Sequence, residues 1–222
     1  MRNMNSNKLD DLKSTLETAG HETWGWHVYR CTYSSDEDWS RFMEQLETDC
    51  QDALDHYGTN HPTAQQQTWT VVEDQKVLEN ATKSDVRRMF NEWVNSPEAA
   101  AEQLDVKIPP SRAHTSRYLY CMHVDEASLR SILDDADDWH VNIVNRKWVP
   151  EEEEFGAEES DDDEEFLDEV READIWPEIE GCTEEDVGWV KASIGILVSR
   201  YVALCDPDFW YTYHTRPPQI AQ

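Results

Sequence analysis

The run Thr23-Trp24-Gly25-Trp26-His27-Val28-Tyr29-Arg30-Cys31-Thr32-Tyr33 constrains the fold more than any other stretch of this chain. With the two-residue period of a strand, Trp24, Trp26, Val28, Arg30 and Thr32 face one way. Gly25, His27, Tyr29, Cys31 and Tyr33 face the other. Both faces are bulky and apolar, so the strand needs cover on both sides. Each face also carries an ionisable group. A guanidinium is costly to bury alone, so Arg30 requires a carboxylate, a ligand or a route to water.

The flanking segments supply that cover. Leu9, Leu12 and Leu16 recur at helical spacing over residues 7–19, with Gly20 as a stop. Ser35 caps a longer helix over 36–57, whose stripe is Trp39, Phe42, Met43, Leu46, Cys50 and Leu54. After a polar loop at 60–66, residues 68–72 read as a second strand. The pattern then recurs. A helix opens at Thr82 or Ser84 and runs through Val86, Met89, Phe90 and Trp93, and an aromatic strand covers 117–124. A short helix follows, capped by Asp125, and then a strand over 139–145. Further on, 187–198 reads as an apolar strand, although 193–204 fits a buried helix equally well. Residues 209–214 read as a closing strand. The expectation is one α+β domain over 1–222 with a ferredoxin-like sheet of two β-α-β units, helices packed on one face, and an acidic insert at 150–186.

That insert dominates the charge. The chain of 222 residues has a formal net charge of −29, and 20 of its 48 Asp and Glu fall within 151–186. Like charges repel and few apolar groups offset the ordering entropy there, so the tract reads as a solvated loop. The acidic balance excludes phosphate-driven binding of nucleic acid and docking on anionic membrane surfaces. No apolar run is long enough for a transmembrane helix, and Met1–Lys8 lacks the apolar core of a signal peptide. Five scattered cysteines without a Cys-x-x-Cys pair fit reduced thiols, and the location expected is cytoplasmic. No metal-ligand spacing, phosphate-cradling glycine loop or Gly-x-Ser-x-Gly elbow occurs, so neither metal nor cofactor is expected.

Several landmarks occur in a set order: Trp24-Gly25-x-x-x-Tyr29-Arg30-x-Thr32-Tyr33, Trp39-x-x-Phe42, Asp125-Glu126-x-Ser128-Leu129, Asn145-Arg146-x-Trp148 and Gly188-Trp189-x-Lys191-x-Ser193. Together they resemble a set of small α/β proteins of filamentous fungi that carry no assigned activity. The resemblance implies a fungal, cytosolic origin and no particular chemistry.

Chemistry is sought where ionisable groups interrupt strands. Arg30, Tyr33, Tyr118, Tyr120, Tyr211 and Tyr213 would line one sheet face if their strands are neighbours, and such a face suits an anionic or phenolic small molecule. Arg30, His123 and Lys191 are the catalytic candidates of a cofactor-free isomerase or cyclase: a charge anchor, a proton carrier near neutral pH, and a base or Schiff-base amine. The bland alternative is a salt-bridged Arg30, a hydrogen-bonded core His123, and a Lys191 that reaches solvent. Sheets of the expected type also pair face to face, which would make the protein a homodimer. The second function is a non-catalytic interaction protein whose 151–186 tract binds a basic protein partner.

Overall fold

A computed structural model describes residues 8–58, 60–134, 139–150 and 176–222. Most of the acidic insert lies outside these residues. The fold is a mixed α+β arrangement around a six-stranded sheet. Its strands are β1 (His27–Arg30), β2 (Thr70–Val72), β3 (Tyr120–Val124), β4 (His140–Asn145), β5 (Trp189–Ser193) and β6 (Ile220–Ala221), in the order β2-β1-β3-β4-β5-β6. The β1–β2, β1–β3 and β5–β6 pairs are parallel, whereas β3–β4 and β4–β5 are antiparallel.

This order departs from the expected ferredoxin-like sheet, and the helices do not lie on one face. The first described helices are α1 (Lys8–Ala19) and α2 (Asp36–Gly58), followed by the single turn α3 (Gln75–Leu78), α4 (Lys83–Val94) and α5 (Pro97–Ala101). After them come α6 (Ser116–Leu119), α7 (Glu126–Leu133), α8 (Leu197–Ala203) and α9 (Phe209–Tyr213). One apolar cluster joins Trp24, Trp26, Val28, Met122, Val141 and Val190 to residues of α1, α2, α7 and α8. A second joins Tyr29, Cys31, Cys121, Val144 and Trp189 to Leu78 of α3 and to Val86, Phe90 and Val94 of α4. The two-faced alternation of β1 therefore carries through the sheet, with α4 covering the second face. Two-sided cover is what parallel strand pairs require, and every residue of β1 and β3 is buried.

Local chemistry sets the helix starts. Thr82 and Asp85 form a reciprocal capping box at α4, and Asp125 accepts from the Ser128 amide at the start of α7. Two segments expected as strands are helical. Arg117–Leu119 belong to α6, which buries Arg117 and Tyr118. Phe209–Tyr213 form α9, in which Trp210 is buried while Tyr211 is 78% exposed. The strand that pairs with the outer edge of β5 is instead Ile220–Ala221.

Candidate functional site

The arginine–tyrosine face expected from the sequence is not assembled. Arg30 is buried and engaged by its own neighbours. Its Nε donates to Thr32 O (3.0 Å), Nη2 to Asp36 Oδ1 (2.6 Å) and Nη1 to Glu73 Oε1 (3.4 Å). Its guanidinium carbon lies 4.4 Å from the Tyr33 ring centroid and 5.1 Å from that of Trp39. Arg30 thus ties β1 to the start of α2, and it does not line the cleft described below.

The tyrosines are dispersed because Tyr118 belongs to α6, Tyr120 to β3, and Tyr211 and Tyr213 to α9. Tyr118 packs in the α4-side cluster and donates to Glu102 Oε2 (2.6 Å). Tyr120 packs on the other side, stacked on Trp210 at 5.4 Å. Tyr211 and Tyr213 sit on α9, where the Arg200 guanidinium lies 4.1 Å from the Tyr213 ring.

The other two catalytic candidates share a row. Strand register places Tyr29 beside His123, His123 beside Asn142, and Asn142 beside Lys191. His123 is fully engaged: Nε2 lies 2.8 Å from Ala81 O, and Nδ1 lies 3.4 Å from Asn142 Nδ2. A ring that donates to a carbonyl and accepts from an amide is neutral. Burial lowers its pKa accordingly, against the nearby Asp125 charge. Asp125 itself is drawn down to about 2: burial opposes the carboxylate, but the Ser128 amide and Lys83 outweigh it. Lys191 is half-buried near the sheet edge.

Beside this row, at the start of α4, lies a cleft of about 310 Å³. Trp148 and Trp189 supply its aromatic surface, Val187 and Ile179 its aliphatic surface, and Lys83, Arg87, Glu180 and Glu184 its charges. Lys83 Nζ is held between Glu180 Oε1 (3.0 Å) and Asp125 Oδ2 (3.2 Å), 4.5 Å from the Trp189 ring centroid. Arg87 donates from Nε to Asn145 O (2.9 Å) and from Nη2 to Gly188 O (3.0 Å), with its guanidinium 4.6 Å from the Trp148 ring. Trp148 in turn donates from Nε1 to Asp186 O (3.0 Å). Asp186 also accepts from the Gly188 amide (2.7 Å) and from Trp210 Nε1 (2.7 Å), so its carboxylate anchors this wall. Cys182 lines the cleft as well, with its thiol pKa raised by burial, which keeps the sulfur protonated.

Asn145, Trp148 and Gly188, all prominent in the sequence, therefore converge on Arg87, which belongs to none of the sequence landmarks. Arg87 has the same composition context as the exposed Arg88. The available signal is spacing: Lys83, Arg87 and Asn91 form an i, i+4, i+8 ridge beside the apolar stripe of Val86, Phe90 and Val94. Asn91 continues that ridge by donating to Arg146 O (3.0 Å).

Gly188 makes the wall possible. Its φ is +73°, and a methyl group there would collide with Arg87 Nη2 and the Trp148 ring. Gly181, at φ +89°, has open space around it. Gly188→Ala is therefore expected to cost more than about 3 kcal/mol in urea denaturation, from left-handed strain plus overpacking. Gly181→Ala should cost about 1 kcal/mol, from backbone strain alone. Equal losses at the two sites would mean that Arg87 and Trp148 do not pack against the Gly188 backbone.

No family model, curated protein or solved structure matches the chain.

Proposed function

We propose that this protein binds a small planar organic molecule in the cleft between Trp148 and Trp189. The observation that carries this reading is the pairing of two indoles with aliphatic Val187 and Ile179 around a concave space of about 310 Å³. That volume lies at the lower end of the range for small-molecule sites, roughly 300–1,000 Å³. Indole faces favour flat, apolar rings through offset stacking and burial of area. The proton-carrying groups nearby are already committed: His123 to Ala81 O and Asn142, Lys83 to two carboxylates. The reading is therefore recognition of a ring. It replaces the Arg30-centred face with a site on the α4 side of the sheet.

Ligand-observed NMR with neutral and anionic bicyclic aromatics tests the site. Binding in the micromolar range is expected, and Trp148→Ala should weaken it about tenfold, the equivalent of about 1.4 kcal/mol. If no bicyclic probe binds below millimolar concentration, or if Trp148→Ala leaves affinity unchanged, the cleft is not the ligand site.

A further inference from the structure

Resting on that reading of the cleft, we infer that its ligand carries a single negative charge, a carboxylate, and that Arg87 is its counter-ion. Among the described residues, no carboxylate lies within ion-pairing distance of the Arg87 guanidinium, although the side chain is half-buried beneath Trp148. Burial presses its pKa down, so the charge is held at a cost that a bound anion would offset.

The hydrogen bonds of Arg87 leave a defined opening. Nε and Nη2 are spent on Asn145 O and Gly188 O, which fixes the plane of the guanidinium. Among the described residues no acceptor lies within hydrogen-bond distance of Nη1, and Arg87 lines the cleft. Arg146 provides the contrast. It too has no carboxylate partner, but Nε, Nη1 and Nη2 all have oxygen acceptors, in Tyr118 O, Asn91 Oδ1 and Ser111 O. Arg146 is therefore satisfied as a structural cation, whereas Arg87 has donor capacity to spare at the edge of a cavity.

The remaining charges limit the anion. Lys83 lines the same cleft, but Asp125 and Glu180 already neutralise it on both sides. Glu184 is a further carboxylate in the lining. Among the described residues Arg87 is the cation of the cleft without a carboxylate partner, so it can balance one negative charge, while the second charge of a phosphate dianion would have no counter-ion there. An arginine over an indole also presents its charge in the plane of a stacked ring, which suits a carboxylate attached directly to an aromatic system.

Three probes sharing one ring separate these statements: 1-naphthol, 1-naphthoate and 1-naphthyl phosphate, titrated calorimetrically into the full-length protein at pH 8. Naphthoate is expected to bind at least tenfold tighter than naphthol and tighter than the phosphate. Arg87→Met should bring naphthoate to the level of naphthol. Glu180→Gln leaves Arg87 in place but frees Lys83 from one carboxylate, and should improve phosphate binding about fivefold or more. That variant keeps the inference testable if Arg87→Met does not fold. Equal binding of naphthol and naphthoate would overturn the counter-ion role while leaving the ring site intact, and so would phosphate as the tightest probe or an unresponsive Glu180→Gln. Failure of all three probes would overturn the site itself and the inference with it.

Discussion

Replacing Glu102 with Gln is expected to destabilise the protein by about 3–5 kcal/mol, because it removes the counter-charge of a buried arginine. Arg117 is 1% exposed and lies at the junction of three segments. Its Nε donates to Glu102 Oε2 (2.8 Å) and its Nη2 to Glu102 Oε1 (2.5 Å) and Thr70 Oγ1 (2.7 Å). Its Nη1 donates to Gly25 O (3.1 Å) and Thr68 O (3.4 Å). The same carboxylate accepts from the Tyr118 hydroxyl, and Gln103 donates to that hydroxyl (3.0 Å) while receiving the Glu22 and Thr23 amides at its Oε1. One ion pair therefore links the loop after α5, the entry to β1, and β2.

Both partners' pKa values report the pairing. Desolvation alone would raise Glu102, yet the Arg117 hydrogen bonds and charge bring it below the ordinary carboxylate value. Desolvation likewise opposes the Arg117 charge, and Glu102 reverses it. A double-mutant cycle in urea with Glu102→Gln and Arg117→Met should give a coupling of about 2 kcal/mol or more, with the double variant less destabilised than the sum. Additive losses would mean that the two groups stabilise the fold independently.

Stability should also fall steeply as the pH drops below about 6.5, well before carboxylates are protonated. His27 is the clearest source. Its ring centroid lies 3.8 Å from that of Trp93, tilted by 46°, and 5.7 Å from that of Phe90, and its Nε2 has no hydrogen-bond partner among the described residues. Burial and the neighbouring Arg117 charge depress its pKa to about 3. Glu102 Oε1 sits 3.8 Å from that nitrogen and pulls the other way. It loses because burial is the largest effect and the Arg117 charge adds to it.

Burial also lowers His21, His123 and His214. A histidine with a depressed folded-state pKa is neutral in the native protein but protonated in the unfolded chain below its ordinary value of 6.5. Unfolding then takes up a proton, and stability declines with falling pH across the window from 6.5 towards the folded-state pKa. For His27 that amounts to about 1.4 kcal/mol per pH unit, or about 2 kcal/mol between pH 6.5 and 5. The contribution of Asp125 is present above its ordinary carboxylate value and lost only as the pH approaches 2. Urea midpoints at pH 7.5, 6.5, 5.5 and 5.0 measure the slope. His27→Phe, which keeps an aromatic ring against Trp93, should flatten it by about one proton. An unchanged slope in that variant would show that His27 protonates freely in the folded state.

Much of the secondary structure was legible from spacing. The α2 stripe of Trp39, Phe42, Met43, Leu46, Cys50 and Leu54 is buried as its helical period requires. The alternation of β1 correctly assigned Trp24, Trp26 and Val28 to one cluster and Tyr29 and Cys31 to the other. These features are local, because periodicity fixes which side chains share a face before any partner is known. Phe209–Tyr213 show where such reasoning stops. Five consecutive apolar or hydroxyl-bearing residues fit a strand or a helix, and the segment is helical while Ile220–Ala221 pairs with β5.

The site was less legible for the same reason. The sequence by itself determined that Arg30 needed partners, that His123 and Lys191 interrupted apolar strands, and that Trp148, Gly188 and Trp189 were prominent. It could not say that Asp36 and Glu73 would close on Arg30, since those contacts depend on how α2 and β2 flank β1. Spacing places Arg87 on a ridge with Lys83 and Asn91, but it could not say that this arginine would lack a carboxylate partner. Tertiary packing decided that: a left-handed turn at Gly188 lets its backbone approach the guanidinium of Arg87, and Trp148 closes over it. Charge and periodicity are written along the chain, but which charge is left without a counter-ion depends on what packs beside it.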